Sequence, residues 1–251
     1  MIDVYINNKK YEFEKDTRLI DACRSVGIDV PSLCYHPDLE SFAGCRLCLV
    51  EVRKGTRAKL VASCVYPIRR TEYFYTDTPL VKETRRMTAQ FLLARAPEAK
   101  EVLEEAVGET LEPVFESRDI FNKKCIMCGL CFRVCQKQGT AAIDFSGRGT
   151  AKEVTTPYKE ANDACIGCGS CAAICPTGAI LMVEREDMRA LWRNQFELLE
   201  CPICGKRHIT GKMVDYMKRK TELPEDKILI CPECRQQMMG KEMLTGVSHE
   251  S

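Results

Sequence analysis

No apolar run in this 251-residue chain reaches the roughly 18 residues of a membrane span, so no transmembrane helix is expected. The opening Met1-Ile2-Asp3-Val4-Tyr5 has neither the basic nor the apolar stretch of a secretory leader, and a cytoplasmic setting is expected. The sequence holds no Walker A loop, no GxGxxG fingerprint, no HExxH and no organised nucleophile–base set, which leaves it without a candidate catalytic site. Gly147 and Gly149 lack both a third glycine and a strand–helix context, so they read as a turn. A dominant charge sign is missing too: the formal net charge is +1.

Cysteine, by contrast, is abundant, with 17 residues, and all but one fall into metal-holding spacings. Cys34, Cys45, Cys48 and Cys64 form one set; Cys125, Cys128, Cys131 and Cys135 a second; Cys165, Cys168, Cys171 and Cys175 repeat the second; Cys201, Cys204, Cys231 and Cys234 are two CxxC knuckles. Without a leader, thiolates on metal are the stronger reading and disulfides the weaker. Cys23 is left over, on the apolar face of an expected helix, and reads as a small buried hydrophobe. Ligation also changes the charge. An oxidised [2Fe–2S] cluster, two oxidised [4Fe–4S] clusters and a zinc ion on four thiolates each carry about −2, so the loaded chain stands near −7, and no general affinity for nucleic acid is expected.

In residues 1–78, Val4 and Ile6, then Tyr11 and Phe13, alternate with polar neighbours about Asn7-Asn8, which predicts a β-hairpin. Asp16 or Thr17 is expected to cap a short helix bearing Leu19, Ile20, Cys23 and Val26, ended by Gly27. A loop from Pro31 and Cys34 to Cys48, a strand from Leu49, and Leu60–Ala62 leading into Cys64 complete the module. Four loop thiolates suit a [2Fe–2S] cluster, with a structural zinc site as the alternative. His36 is expected beside that site or on the surface rather than as a ligand.

The stretch DVPSLCYHPDLESFAGCRLCLVEV resembles the [2Fe–2S] domain of the large iron–sulfur subunit of respiratory complex I and the matching diaphorase-type subunits of NAD-linked hydrogenases and formate dehydrogenases. In residues 79–122 an amphipathic helix over 80–95 (Val81, Met87, Phe91, Leu92) and a second over 98–107, ended by Gly108, are predicted to pack the cluster domains together. In the complex I family this zone resembles the binding place of a cluster held by one His and three Cys. LLARAPEAKEVLEEAV contains neither residue, so that cluster is expected to be absent.

CIMCGLCFRVC and CIGCGSCAAICP, in residues 123–183, form the bacterial two-cluster ferredoxin repeat. Three Cys of each run should share a tight loop, with the fourth starting the following helix and reaching the other cluster. Cys125, Cys128, Cys131 and Cys175 should then hold one [4Fe–4S] cluster, and Cys135, Cys165, Cys168 and Cys171 the other; two zinc sites are the alternative. Gly129, Gly167 and Gly169 are expected to leave room for backbone beside sulfide. Gln136 stands where the repeat would put Pro, as in complex I-type members, while Pro176 follows the last ligand.

For residues 184–251, Met188, Leu191, Trp192, Phe196 and Leu199 recur at helical spacing, predicting a packing helix over 184–199 with Trp192 as an anchor. CPIC and CPEC, with Gly205 turning amides toward a sulfur, resemble a zinc ribbon; mononuclear iron or a further iron–sulfur cluster are the alternatives. Lys206, Arg207, Lys212, Lys218, Arg219 and Lys220 read as a solvated face, with docking of an acidic partner as an alternative. His208 is expected to face solvent, and 240–251 to be a frayed tail.

The expected fold class is α+β: a β-grasp [2Fe–2S] ferredoxin-like domain, a helical connector, a bacterial dicluster [4Fe–4S] ferredoxin domain and a zinc-ribbon-like domain. The resemblance implies a non-catalytic electron-transfer subunit of a cytoplasmic multi-subunit oxidoreductase. Its partners would be a flavin/NAD(P)-binding subunit and a catalytic subunit such as a hydrogenase or formate dehydrogenase, or ferredoxin; electron bifurcation would fit. The competing readings are an iron–sulfur redox sensor whose ribbon binds nucleic acid, and a free-standing ferredoxin.

Overall fold

The computed structural model describes residues 1–117 and 122–246, with side chains to 240. Strands β1 (Ile2–Ile6) and β2 (Lys9–Phe13) form the expected hairpin. Asn7 and Asn8 both take positive φ, 49° and 67°, the conformation a two-residue type I′ loop requires and asparagine tolerates. Helix α1 (Leu19–Ser25) buries Leu19, Ile20, Ala22 and Cys23. Neither Asp16 nor Thr17 caps it. Arg18 holds the N-cap position without a side-chain cap, because Asp16 turns aside at φ 66° and accepts from Arg69, while the Thr17 carbonyl accepts from the Ile68 amide. Val26 lies past the last helical turn, followed by Gly27 at φ 76°.

The hairpin β3 (Leu49–Lys54)–β4 (Arg57–Ala62) and the short β5 (Tyr73–Tyr75) complete a five-stranded sheet in the order β2-β1-β5-β3-β4. Only the β1–β5 pair is parallel, and Val4, Ile6, Val50, Val52 and Phe74 meet α1 in one core. The long loop between α1 and β3 leaves this core and joins a second one.

Helix α2 (Pro79–Arg95) starts at Thr78, whose Oγ1 accepts from the Val81 amide at 3.2 Å, with Pro79 in the first turn where its missing N–H costs nothing. The expected buried face was wrong in part. Val81, Ala89, Gln90 and Leu93 are buried and Leu92 half-buried, but Met87 and Phe91 are exposed, and Phe91 stacks on Phe115 with centroids 4.7 Å apart. The smaller residues face inward because two loops and a helix must approach α2 closely. One turn later, α3 (Lys100–Val107) ends at Gly108 in the left-handed conformation. Ala89, Leu93, Ala96 and Leu103 pack with Leu39 and Leu47 from one cysteine loop and Ile126 and Leu130 from the next, so the connector welds two cysteine-bearing modules into one core.

Helix α4 (Leu130–Lys137), the β6 (Asp144–Ser146)–β7 (Glu153–Thr155) ribbon, the short α5 (Ser170–Ala173) and β8 (Met182–Glu184) form the repeat region. The predicted helix over 184–199 is instead a hairpin of β9 (Met188–Leu191) and β10 (Asn194–Glu200). Trp192 and Arg193 make its two-residue turn at φ 50° and 62°. Within each strand burial alternates, Arg189 with Leu191 and Phe196 with Leu198, which is strand period. The turn resets the phase, so that apolar residues on its two sides fall three and four apart and imitate a helix. Neither Trp nor Arg advertises such a turn.

Strand β11 (Arg207–Thr210) extends the hairpin, giving the order β11-β10-β9-β8; β8, from the repeat region, thereby shares a sheet with the C-terminal module. Helices α6 (Gly211–Lys220), α7 (Glu225–Ile228) and α8 (Pro232–Gly246) follow. Helical backbone runs to Gly246 through the first part of the expected frayed tail, and its residues 247–251 lie outside those described. No helix among the described residues is long and apolar enough to cross a membrane.

Candidate cluster and metal sites

The loop set Cys34, Cys45, Cys48 and Cys64 is buried throughout. The Cys45 and Cys64 thiols donate to Cys34, and the Cys45 and Gly44 amides add to them, so Cys34 is held far below the ordinary thiol range. Cys64 likewise donates to Cys48, bringing it to about 6. The donor thiols of Cys45 and Cys64 are correspondingly pushed up. Such a nest favours negatively charged sulfur. Cys23 lies apart in the α1 core, where burial pushes its thiol to about 12, as a structural cysteine should be. His36 is partly exposed, and its Nδ1 accepts from the Asp38 amide at 3.2 Å.

In the repeat region one cavity is lined by Cys125, Cys128, Cys131 and Cys175, and a second by Cys135, Cys165, Cys168 and Cys171. The fold therefore sorts the eight cysteines three plus one, with the fourth of each run crossing over. One expectation changes: the third cysteine, not the fourth, opens each helix. Cys131 and Cys135 both lie on α4, while Cys171 lies on α5 and Cys175 beyond it. Amide donors repeat as well: the Ala142 amide donates to Cys135 Sγ, and the Ala179 amide to Cys175 Sγ, each at 3.2 Å. Burial pushes Cys128 to about 12 and Cys171 to about 11, against the Leu130 amide in one case and the Trp192 indole in the other.

The loop glycines also meet aromatic side chains. A Cβ on Gly129 (φ 72°) would come within 2.6 Å of the Phe132 ring, and one on Gly167 (φ 68°) within 2.7 Å of the Phe196 ring. Each loop thus packs closely against an aromatic ring. Trp192 lines both cavities and donates its Nε1–H to Cys171 Sγ at 3.3 Å.

Two buried arginines were not foreseen. Arg133, on α4, donates to the carbonyls of Gly129 (3.1 Å), Cys34 (2.6 Å), Cys128 (3.4 Å) and Glu40, tying the first cysteine loop to the second. Arg189, on β9, donates to the Gly167 carbonyl at 2.6 Å and the His208 carbonyl at 3.0 Å, tying the third loop to β11. The only sequence hint was a charge inside apolar surroundings, as in CFRVC.

At the C-terminal knuckles the sulfurs of Cys201, Cys204, Cys231 and Cys234 all lie within 4.8 Å of one another. Tetrahedral ligation at about 2.3 Å sets sulfurs roughly 3.8 Å apart, so this group fits a single ion. Among the described residues no other His, Cys, Asp or Glu group meets that limit. Desolvation pushes the Cys201 thiol up, but the amides of Cys231, Cys204 and Ile203 outweigh it and bring it to about 6. Gly205, at φ 73°, closes that turn, its own amide donating to the Cys201 carbonyl. His208 is half-buried rather than solvent-facing, with Nε2 2.9 Å from the Leu229 carbonyl oxygen. Lys206, Arg207, Lys212 and Lys218 are paired with Glu233, Glu200, Asp163 and Glu225.

Residues 1–72 match the 2Fe-2S iron-sulfur cluster binding domain, and residues 119–182 the 4Fe-4S dicluster domain. The chain carries both kinds of iron–sulfur domain. It is 30% identical over 248 residues to a subunit of the NADH-quinone oxidoreductase of Rhizobium meliloti, covering 88% of this chain and 28% of that protein. It is 30% identical over 205 residues to the NADH-ubiquinone oxidoreductase 75 kDa subunit of Reclinomonas americana, covering 72% and 29%. Under a third of those relatives' length is thus spanned, corresponding to their N-terminal part. Among solved structures, an NAD+-reducing [NiFe]-hydrogenase in the H2-reduced state superposes with a TM-score of 0.59 at 25% identity, over 71% of this chain and 86% of that one. The resemblance seen in the cysteine motifs therefore holds for both iron–sulfur domains.

Proposed function

We propose that this chain is an electron-transfer subunit of a cytoplasmic, multi-subunit oxidoreductase linked to NAD(P). Cys34, Cys45, Cys48 and Cys64 would hold a [2Fe–2S] cluster. Cys125, Cys128, Cys131 and Cys175 would hold one [4Fe–4S] cluster, and Cys135, Cys165, Cys168 and Cys171 the other. Cys201, Cys204, Cys231 and Cys234 would hold one zinc ion. When bound, the clusters supply one-electron carriers. The protein's part is to exclude water, donate N–H groups to sulfur and fix the sites relative to one another.

The observation that carries this reading is the shared core: the first cysteine loop, the connector helices and the first repeat loop pack as one body, strapped by Arg133. Electron carriers gain from such fixed spacing, whereas independent sensor or storage modules have no need of it. The NAD link rests on the names of the related subunits and of the hydrogenase neighbour. The partners would accordingly be a flavin/NAD(P)-binding subunit and either a catalytic oxidoreductase subunit or ferredoxin. Pairing of four of the basic ribbon side chains with acids gives the nucleic-acid alternative less support.

The test is an anaerobic affinity purification with metal analysis and identification of co-purifying chains. About ten irons and one zinc per chain, with a flavoprotein in fixed ratio, is the expected result. Four irons or fewer with several zincs, or a chain that arrives with nucleic acid alone, would overturn it.

A further inference from the structure

Arg95 is the last residue of α2, far in sequence from either ferredoxin repeat, yet it lines the cavity of Cys125, Cys128, Cys131 and Cys175. Its two terminal nitrogens are spoken for: Nη1 donates to the Thr150 carbonyl at 3.3 Å and Nη2 to the Lys152 carbonyl at 2.8 Å. Its Nε is buried and, alone among the buried side-chain nitrogens and oxygens of the described residues, has no hydrogen-bond partner. A buried charged donor left unpaired is costly and calls for an acceptor. The cavity's own walls offer thiols.

The other charged groups around this cavity leave Arg95 as its internal cation. Arg193 is exposed, and Glu153 is paired with Lys159. The cavity of Cys135, Cys165, Cys168 and Cys171 has no charged residue in its lining; its side-chain N–H comes from the neutral Trp192.

We propose that Arg95 is a potential-setting residue for the cluster held by Cys125, Cys128, Cys131 and Cys175, its Nε–H given to the sulfur-rich anion that those ligands make. This rests on the ligand assignment proposed above. One-electron reduction takes such a cluster from about −2 to about −3, so a nearby cation favours the reduced form and raises the potential of this cluster alone. The connector would then do more than pack two domains: it would make two clusters with identical ligand types unequal.

The experiment is an anaerobic dithionite titration of the full, loaded chain followed by EPR, with iron counted in every sample. Arg95→Gln removes the charge, and Arg95→Lys keeps it while losing the guanidinium's carbonyl straps. Cys135→Ala, which should remove the other cluster, identifies the wave of the cluster held by Cys125, Cys128, Cys131 and Cys175. In Arg95→Gln that wave should fall by about tenfold in its reduction equilibrium, or 59 mV for one electron. Arg95→Lys should recover most of that shift. Loss of that cluster in Arg95→Gln with retention in Arg95→Lys would also support the charge. Unchanged potentials at full iron would overturn the proposal, as would equal loss of the cluster in both variants, which would make Arg95 a strap only. A wild-type chain without two [4Fe–4S] signals would overturn the ligand assignment itself, before any variant is compared.

Discussion

The two Cys-x2-Cys-x2-Cys-x3-Cys loops are near copies in sequence, but the structure dresses them differently. Both place a glycine at positive φ before the helix, both sit under a phenyl ring, and both receive an amide at 3.2 Å on the crossing cysteine. The glycine and the amide come from the repeat itself, as does Phe132, whereas Phe196 is brought to the second loop by β10. The unshared features come from what packs outside it. The first loop is gripped by Arg133 together with the Cys34 loop and flanked by α2; the second is gripped by Arg189 together with β11 and capped by the β9–β10 hairpin. A duplicated motif thus keeps its ligand geometry while its surroundings make each copy a different link between modules.

The crossing of ligands is the sharpest point at which to break this comparison. Cys175→Ala should remove about four irons and the cluster of Cys125, Cys128 and Cys131, leaving the other cluster's EPR signal intact; Cys135→Ala should do the reverse. If each change instead destroyed the cluster of its own run, the three-plus-one sorting would be wrong.

The straps come next. Arg133→Met leaves several buried carbonyls without their donor and should cost about 3 kcal/mol, while Arg189→Met, with fewer carbonyl partners and one of its three acceptors the half-exposed Glu184, should cost about 2 kcal/mol. Anaerobic denaturation would read both, and limited proteolysis should show the first variant loosening the N-terminal module and the second the C-terminal one. Equal effects at both ends would contradict the division of labour.

Glycine substitutions probe the ring packed on each loop, at two positions that differ within the repeat: Gly129 corresponds to Gly169, and Gly167 to Met127. Gly129→Ala and Gly167→Ala each add a Cβ at positive φ within 2.7 Å of a ring, and each should cost about 1–2 kcal/mol with partial cluster loss. A large difference between them would show that one ring is not equivalent to the other. The smallest effect is expected of Trp192→Phe. Loss of one N–H on Cys171 Sγ should lower that cluster's reduction equilibrium by a few-fold, about 0.5–1 kcal/mol, in an EPR-monitored titration. No shift would mean that the indole serves packing alone.

Several of these features were legible before folding was considered. Period-two alternation about Asn7-Asn8 placed the first hairpin, and Thr78-Pro79 and Gly108 bracket the connector helices as local cap chemistry dictates. The hairpin at 188–200 was not legible, because a Trp-Arg turn carries no turn signal and the phase change mimics a helix. Nor was the inner face of α2. Its large residues Met87 and Phe91 face outward, and Phe91 is 57% exposed, because close approach by the two cysteine loops selects Ala89 and Leu93 for the contact.

By itself, the sequence determined the four cysteine sets, since ligand identity and short spacing are local and the tight loops they form follow from glycine conformation and chain length. Only the tertiary structure decided which residues from outside the cysteine motifs reach the cavities and loops: Arg95, Arg133, Arg189 and Trp192. The physical reason is that these last contacts join groups remote along the chain. Their energies depend on burial and on donor geometry, which no local pattern encodes until the modules have packed.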